Sequence, residues 1–184
     1  MNKKKAFKNF IEKDLLVTYS KFCLGQVMHK EIDDKDEYKY YSQFLPTWNI
    51  LLHSLGESYL LGLARLFDRY NFKGKEEVIS VYSFLDHDFV KHDRTIRAIK
   101  VFRDNVLAHS NWNFMDNPRP LEEAGLSYGD IESLFSTTAE VLERIKNNFG
   151  YNQDLRERFA KEKEEAKKEF MKWYVVFQRG FESS

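Results

Sequence analysis

Apolar residues recur at steps of three and four along most of this chain, the spacing that gathers them on one face of an α-helix. Phe7, Phe10, Ile11, Leu15, Val17, Phe22 and Leu24 predict a first helix from about Lys5 to Glu31. The polar run Asp33-Asp34-Lys35-Asp36 reads as a connection. A second helical region follows from about Glu37 to Tyr70, with Leu45, Trp48, Leu51, Leu52, Leu55, Tyr59, Leu60, Leu63 and Phe67 as its apolar positions. Pro46 either kinks that helix or marks its true first turn. Gly56 and Gly62 cost helix propensity and point to close helix packing. Asn71-Phe72-Lys73-Gly74-Lys75 is a loop.

Val78-Ile79-Ser80-Val81-Tyr82 has the β-branched content of a strand, but a strand without a partner makes no sheet. Ser80 is therefore read as the N-cap of a short helix over Val81–Leu85, and Asp86 and Asp88 as caps for the next one. That next helix carries Phe89, Ile96, Ile99, Val101, Phe102 and Val106 to about His109. Ser110 to Gly125 holds two of the three prolines and is expected to be irregular. Ile131, Leu134, Phe135, Thr138, Leu142, Ile145 and Phe149 then form the cleanest apolar stripe, ended by Gly150. A last helix spans about Gln153 to Arg179, charged on every side over 161–169 and apolar-striped again from Phe170. No internal repeat or linker interrupts the pattern. It predicts one all-α domain over 1–184, an up-and-down bundle of five to six helices.

Composition sharpens this picture in three ways. Hydrophobic residues at 42% against 32% charged describe a chain that can bury a core, and only 8 glycines and 3 prolines in 184 residues favour helices over a many-turned β fold. The formal charge is zero, 29 basic against 29 acidic residues, so any nucleic-acid contact would have to be local. Cys23 is the sole cysteine and cannot form an internal disulfide. The basic start Lys3-Lys4-Lys5 lacks a following apolar signal region, and no stretch reaches the roughly 20 apolar residues that span a bilayer. The expected location is the cytoplasm, with no membrane partner. The chain also lacks a Gly-rich phosphate loop, paired cysteines for zinc and a Gly-x-Ser-x-Gly elbow.

Candidate chemistry concentrates in Phe102-Arg103-Asp104-Asn105-Val106-Leu107-Ala108-His109-Ser110-Asn111, at a predicted helix end beside a loop. Taken alone, Arg103 could pair with a carboxylate on a solvated face, and His109 could cap the helix C-terminus. In context, the segment resembles the HEPN superfamily of helical bundles, whose signature is Arg-x(4–6)-His with a polar residue just after the arginine. Arg103, Asp104 and His109 match it. The wording Arg-Asp-Asn-Val-Leu-Ala-His-Ser-Asn looks more like the abortive-infection, AbiU-type branch, as do Leu63-Ala64-Arg65-Leu66-Phe67-Asp68 and Ile79-Ser80-Val81. The similarity is strongest over about 40–150.

This resemblance implies a HEPN-like bundle and a metal-independent, cofactor-free endoribonuclease of a defence or toxin–antitoxin system. Its site would lie between two copies of the chain, with RNA as substrate and possible control by an antitoxin protein. RNA's own 2′-hydroxyl would attack the adjacent phosphate, with Arg103 and His109 catalytic. The chemistry suits the residues: histidine titrates near neutrality and can accept and return a proton. Arginine stays charged and offers a planar fork to phosphate oxygens. Asp104, Asn105, Ser110 and Asn111 would shape the site. Arg65 and Asp68 form either an intrahelical ion pair or a pair supporting the cleft.

Six positions turn an ideal helix by about 240°, so Arg103 and His109 do not share a face, whereas Asn105 and His109 do. Either a loop redirects His109 or two segments meet across a twofold axis. Other candidates have plainer explanations. His87 and His92 are five apart and poorly spaced for zinc. His53 lies among leucines and reads as a core or interface residue. Tyr38-Lys39-Tyr40-Tyr41 reads as interface packing, and the mixed charges of 161–169 as a solvated helix. The alternative to an enzyme is a non-catalytic HEPN module that binds nucleotide, RNA or a protein partner; a dimeric scaffold is the third reading.

Overall fold

The computed structural model describes residues 2–33, 45–68, 79–85, 89–108 and 120–182. Among them there are helices and turns and no strand. The expected first helix is three consecutive segments: α1 (Lys3–Asn9), a π-helical stretch (Phe10–Leu15) and α2 (Leu16–Asp33). Asn2 starts the run, its side chain accepting from the Lys4 and Lys5 amides. The π stretch is a departure from the regular spacing expected, and it closes where the Leu16 amide donates five residues back to the Ile11 carbonyl. Phe7 before this stretch, Phe10 and Leu15 within it and Phe22 after it share one core.

The second long helix, α3, is described over Leu45–Leu66, with Pro46 in its first described turn. It packs along α2. Gly62 permits the approach, because a Cβ there would stand 2.6 Å from the Thr18 hydroxyl and 2.8 Å from its methyl. The helix ends earlier than its apolar pattern suggested: Phe67 and Asp68 lie in a turn beyond Leu66. Ser80 caps a single 3₁₀ turn, Val81–Ser83, through a reciprocal capping box. A second 3₁₀ turn, Val90–His92, leads into α4 (Asp93–Ala108). The expected caps Asp86 and Asp88 lie outside the described residues, as do 34–44 and the loop expected over 71–75.

The region expected to be irregular around Pro120 contains a short helix, α5 (Pro120–Glu123), where proline's fixed φ suits a first turn and Leu121 is buried. The cleanest sequence pattern becomes α6 (Tyr128–Ile145), opened by a Ser127/Asp130 capping box. It tightens into a 3₁₀ turn over Lys146–Phe149 and stops at Gly150 in the left-handed region, φ 65°. The last helix, α7 (Leu155–Glu182), lies along α2.

The main core sits around α2. Tyr19 packs on Phe159 of α7 at 4.3 Å between ring centroids and on Phe135 of α6 at 5.0 Å. A smaller cluster joins Met28, Trp48, Leu52, Phe170 and Tyr174. The charged run of α7 is largely solvated, as expected, but Ala166 is buried and Lys163 reaches Glu132 of α6 at 2.9 Å. Among the described residues no helix is long and apolar enough to cross a membrane.

Candidate functional site

The site is built where the end of α3 meets α4. Ile96, Ile99 and Phe102 bury one face of α4. On the α3 side, Phe67 is buried and stands edge-on to Phe89, with ring centroids 5.2 Å apart. Phe89 lies just before the turn that leads into α4. This aromatic joint fixes the residue after Phe67, which is Asp68, against the helix that carries Arg103.

Arg103 Nη1 donates to Asp68 Oδ2 at 3.0 Å, and its Nε donates to Asp104 Oδ1 at 2.9 Å. The guanidinium thus bridges a half-buried carboxylate on a neighbouring element and its own sequence neighbour. Asp68 and Arg103 are 21% and 25% exposed, whereas Asp104 is 65% exposed. Desolvation alone would lower the Arg103 pKa, but hydrogen bonds and charge from Asp104 and Asp68 outweigh it and raise the value. Arg103 is therefore a fixed cation with one rigid anchor and one solvent-facing partner.

Arg65 and Asp68 do not simply pair with each other. Arg65 reaches the π stretch, where its Nη2 lies 3.0 Å from Asp14 Oδ1. Asp68 turns the other way, toward Arg103. The Asp14 carboxylate had no sequence signal beyond being an acidic residue in an apolar stretch, and its partner lies 51 positions away. The same π stretch supplies the Asp14 carbonyl that accepts from the Thr18 hydroxyl at 2.7 Å. A chain of alternating charges consequently runs from Asp14 through Arg65 to the α3 turn, and from Asp68 through Arg103 to Asp104.

Asn105 is exposed on α4, about 200° around the helix from Arg103. The remaining residues of the signature, His109, Ser110 and Asn111, lie outside the described residues; α4 is helical through Ala108, immediately before His109. The other histidines have local settings. His92, in the 3₁₀ turn before α4, is buried with its Nε2 2.8 Å from Thr137 Oγ1 of α6, and burial, with Lys91 beside it, lowers its pKa. Burial likewise lowers that of His53, whose Nδ1 lies 3.7 Å from Glu57 Oε1. Among the described residues no group of three or more His, Cys, Asp or Glu side chains could hold a metal ion.

The model of a HEPN family, described as AbiU2, matches residues 41–170, more than half of the chain and including both arms of the site. No curated protein and no solved structure matches the chain.

Proposed function

The chain belongs to the AbiU2 family of HEPN domains, and on that footing we propose that it is a metal-independent endoribonuclease whose catalytic pair is Arg103 and His109. The observation that carries this reading is the Arg103 guanidinium. It is held from behind by Asp68 at 3.0 Å and faces solvent through a carboxylate it can exchange for a phosphate. A bidentate phosphate on the fork would gain the charge that develops as the phosphorus becomes five-coordinate.

In the proposed reaction His109 takes the proton from a ribose 2′-hydroxyl. The 2′-oxygen bonds to the adjacent phosphorus, the bond from phosphorus to the 5′-oxygen breaks, and the proton held by His109 is returned to that leaving oxygen. The products are a 2′,3′-cyclic phosphate and a 5′-hydroxyl end. Arg103 and His109 fall on different sides of an ideal helix, so a site assembled from two copies of the chain is the arrangement we favour. Asp104, Asn105, Ser110 and Asn111 would line it. A defence or toxin–antitoxin setting in the cytoplasm, with an antitoxin as protein partner, belongs to the same proposal.

The test is cleavage of a fluorescent RNA by the purified protein and by His109→Ala. Loss of the cyclic-phosphate product with an unchanged helical circular dichroism spectrum is the expected result. Full activity in that variant would remove the mechanism. A second reading draws on the same ion pairs. A guanidinium already satisfied by two carboxylates suits a non-catalytic HEPN module that binds nucleotide, RNA or a protein partner, and such a protein would bind RNA with no cleavage in either form.

A further inference from the structure

The side of α4 turned away from Asp68 carries a feature that shares only Asn105 with the proposed catalytic site. Arg94, Arg97, Val101 and Asn105 fall within about 80° of one another on the helix, at steps of three and four. With Phe102 and Ala124 they line an open cavity of about 470 Å³. The volume lies in the range of about 300–1,000 Å³ typical of small-ligand pockets. Among the described residues its lining holds two guanidinium groups and no carboxylate. Both arginines are exposed, Phe102 is buried at the base, and Val101 is 54% exposed, an apolar side chain open to water.

Two cations over an apolar floor match a specific chemistry. Guanidiniums receive phosphodiester oxygens and can stack on a base, while an apolar floor accepts the base's face. The groove also has a direction. It runs along α4 to Asn105, toward the C-terminal end of the helix that precedes His109. A strand seated there would be led to the His109 end of the signature.

We propose that this groove, lined by Arg94, Arg97 and Val101 and ending at Asn105, seats one nucleotide of a single-stranded RNA beside the cleavage position. The inference rests on the RNA reading of the neighbouring site for its class of ligand. Arg97 and Arg94 take the phosphodiester, and Val101 carries the base. Arg103, on the opposite side of the helix, is not part of it.

The test uses the full chain and a fluorescein-labelled 2′-fluoro-uridine hexamer, an RNA strand without the attacking hydroxyl, so that binding is read apart from cleavage. Arg97→Ala and Val101→Glu are both at exposed positions, and their melting curves should match the parent. Each should weaken hexamer binding about fivefold or more at low salt. Arg97→Ala should also reduce the slope of log affinity against log salt by about 0.7, the loss of one phosphate contact on a single strand. Lys167→Ala, exposed on α7, should leave binding unchanged. Equal binding by Arg97→Ala and the parent overturns the proposal, and so does an equal loss in Lys167→Ala. Binding unchanged while either groove variant dissociates a dimer in sedimentation also overturns it, because the groove is then a subunit contact. Failure of the two readings is separable: cleavage that survives His109→Ala removes the catalytic mechanism, whereas hexamer binding indifferent to Arg97 and Val101 removes the groove alone.

Discussion

Arg103 has two partners of unequal standing, and that inequality makes them separable by mutation. Asp68 is 21% exposed and sits behind the guanidinium, so Asp68→Ala leaves a partly buried cation unpaired on that side. It should cost about 1 kcal/mol in urea unfolding, toward the upper end for such pairs, because part of the pair is screened from water. If Arg103 contacts the scissile phosphate, a guanidinium released from its anchor should also lower kcat by about tenfold, since small misplacements are expensive in oriented catalysis. Asp104→Ala removes the exposed competitor. Its effect on stability should be negligible, and its KM should fall if the carboxylate occupies the place of a phosphate. An unchanged KM would assign Asp104 to substrate positioning or to nothing. Among the histidines, His53 and His92 are buried with lowered pKa values. The unfolded chain therefore takes up protons at a higher pH than the native one. Stability is full above the ordinary imidazole value of about 6.5 and declines as pH falls through the lowered native values. The urea midpoint should accordingly drop between pH 7.5 and 5.5, and His92→Gln, which can still bond to Thr137, should flatten part of that drop.

At the scale of elements, the tightest constraint is the crossing of α2 and α3. Thr18 is buried with its hydroxyl committed to the Asp14 carbonyl, and both of its γ atoms lie under 3.0 Å from where a Gly62 Cβ would be. Rotating the threonine exchanges one clash for another. Gly62→Ala should therefore cost about 1–3 kcal/mol despite alanine's better helix propensity. Adding Thr18→Ala should recover most of the loss, a coupling measurable by a double-mutant cycle of urea midpoints. A simple additive result would show that the helices yield without difficulty. The glycine was readable in the sequence as a packing device; its partner was not, because nothing local marks Thr18. The same division runs through the rest of the chain. The stripe Ile131, Leu134, Phe135, Leu142 prescribes α6 outright, since burial on one face and helical spacing agree. The π stretch escaped because Phe10, Ile11 and Leu15 satisfy a helical pattern either way, and the widened turn shows only in the backbone hydrogen bond from Leu16 to Ile11. Around Pro120, proline content argued for a loop although proline also suits a first helical turn. In the candidate site, the Arg103-Asp104-Asn105 wording was visible locally. The pairings of Arg65 with Asp14 and of Arg103 with Asp68 are 51 and 35 positions long, and only the packing of the π stretch, α3 and α4 brings them about.

At the scale of the whole molecule, the proposed pair carries a geometric requirement: six positions turn an ideal helix by about 240°, which would set Arg103 and His109 on different sides of it. A regular α4 through Ala108 sharpens it, because the rotation accumulated along the helix is not relieved before the residue preceding His109. Two copies related by a twofold axis would meet it, each site taking Arg103 from one chain and His109 from the other. The consequence is quantitative. Arg103→Ala and His109→Ala should each be inactive as homodimers. In a re-equilibrated equimolar mixture about half the dimers are mixed, and a mixed dimer has one site with both native residues and one with neither. Activity should therefore return to about one quarter of the parent value, by the symmetry of an isologous pair. A site completed within one subunit predicts no recovery at any mixing ratio. Recovery should also vanish on dilution below the dimer's dissociation constant, with the parent losing activity over the same range. Asp68→Ala makes a useful third partner in this experiment. Asp68 anchors Arg103 of its own chain, so mixing it with His109→Ala creates one site with all three residues native, Asp68 and Arg103 from the His109→Ala chain and His109 from the Asp68→Ala chain. Mixing it with Arg103→Ala creates no such site, because the only native Arg103 comes from the chain that lacks its anchor. The first mixture should therefore reach about one quarter of the parent value through its mixed dimers and the second should fall well short of it, a contrast that would place the anchor and the cation on the same subunit in the working enzyme.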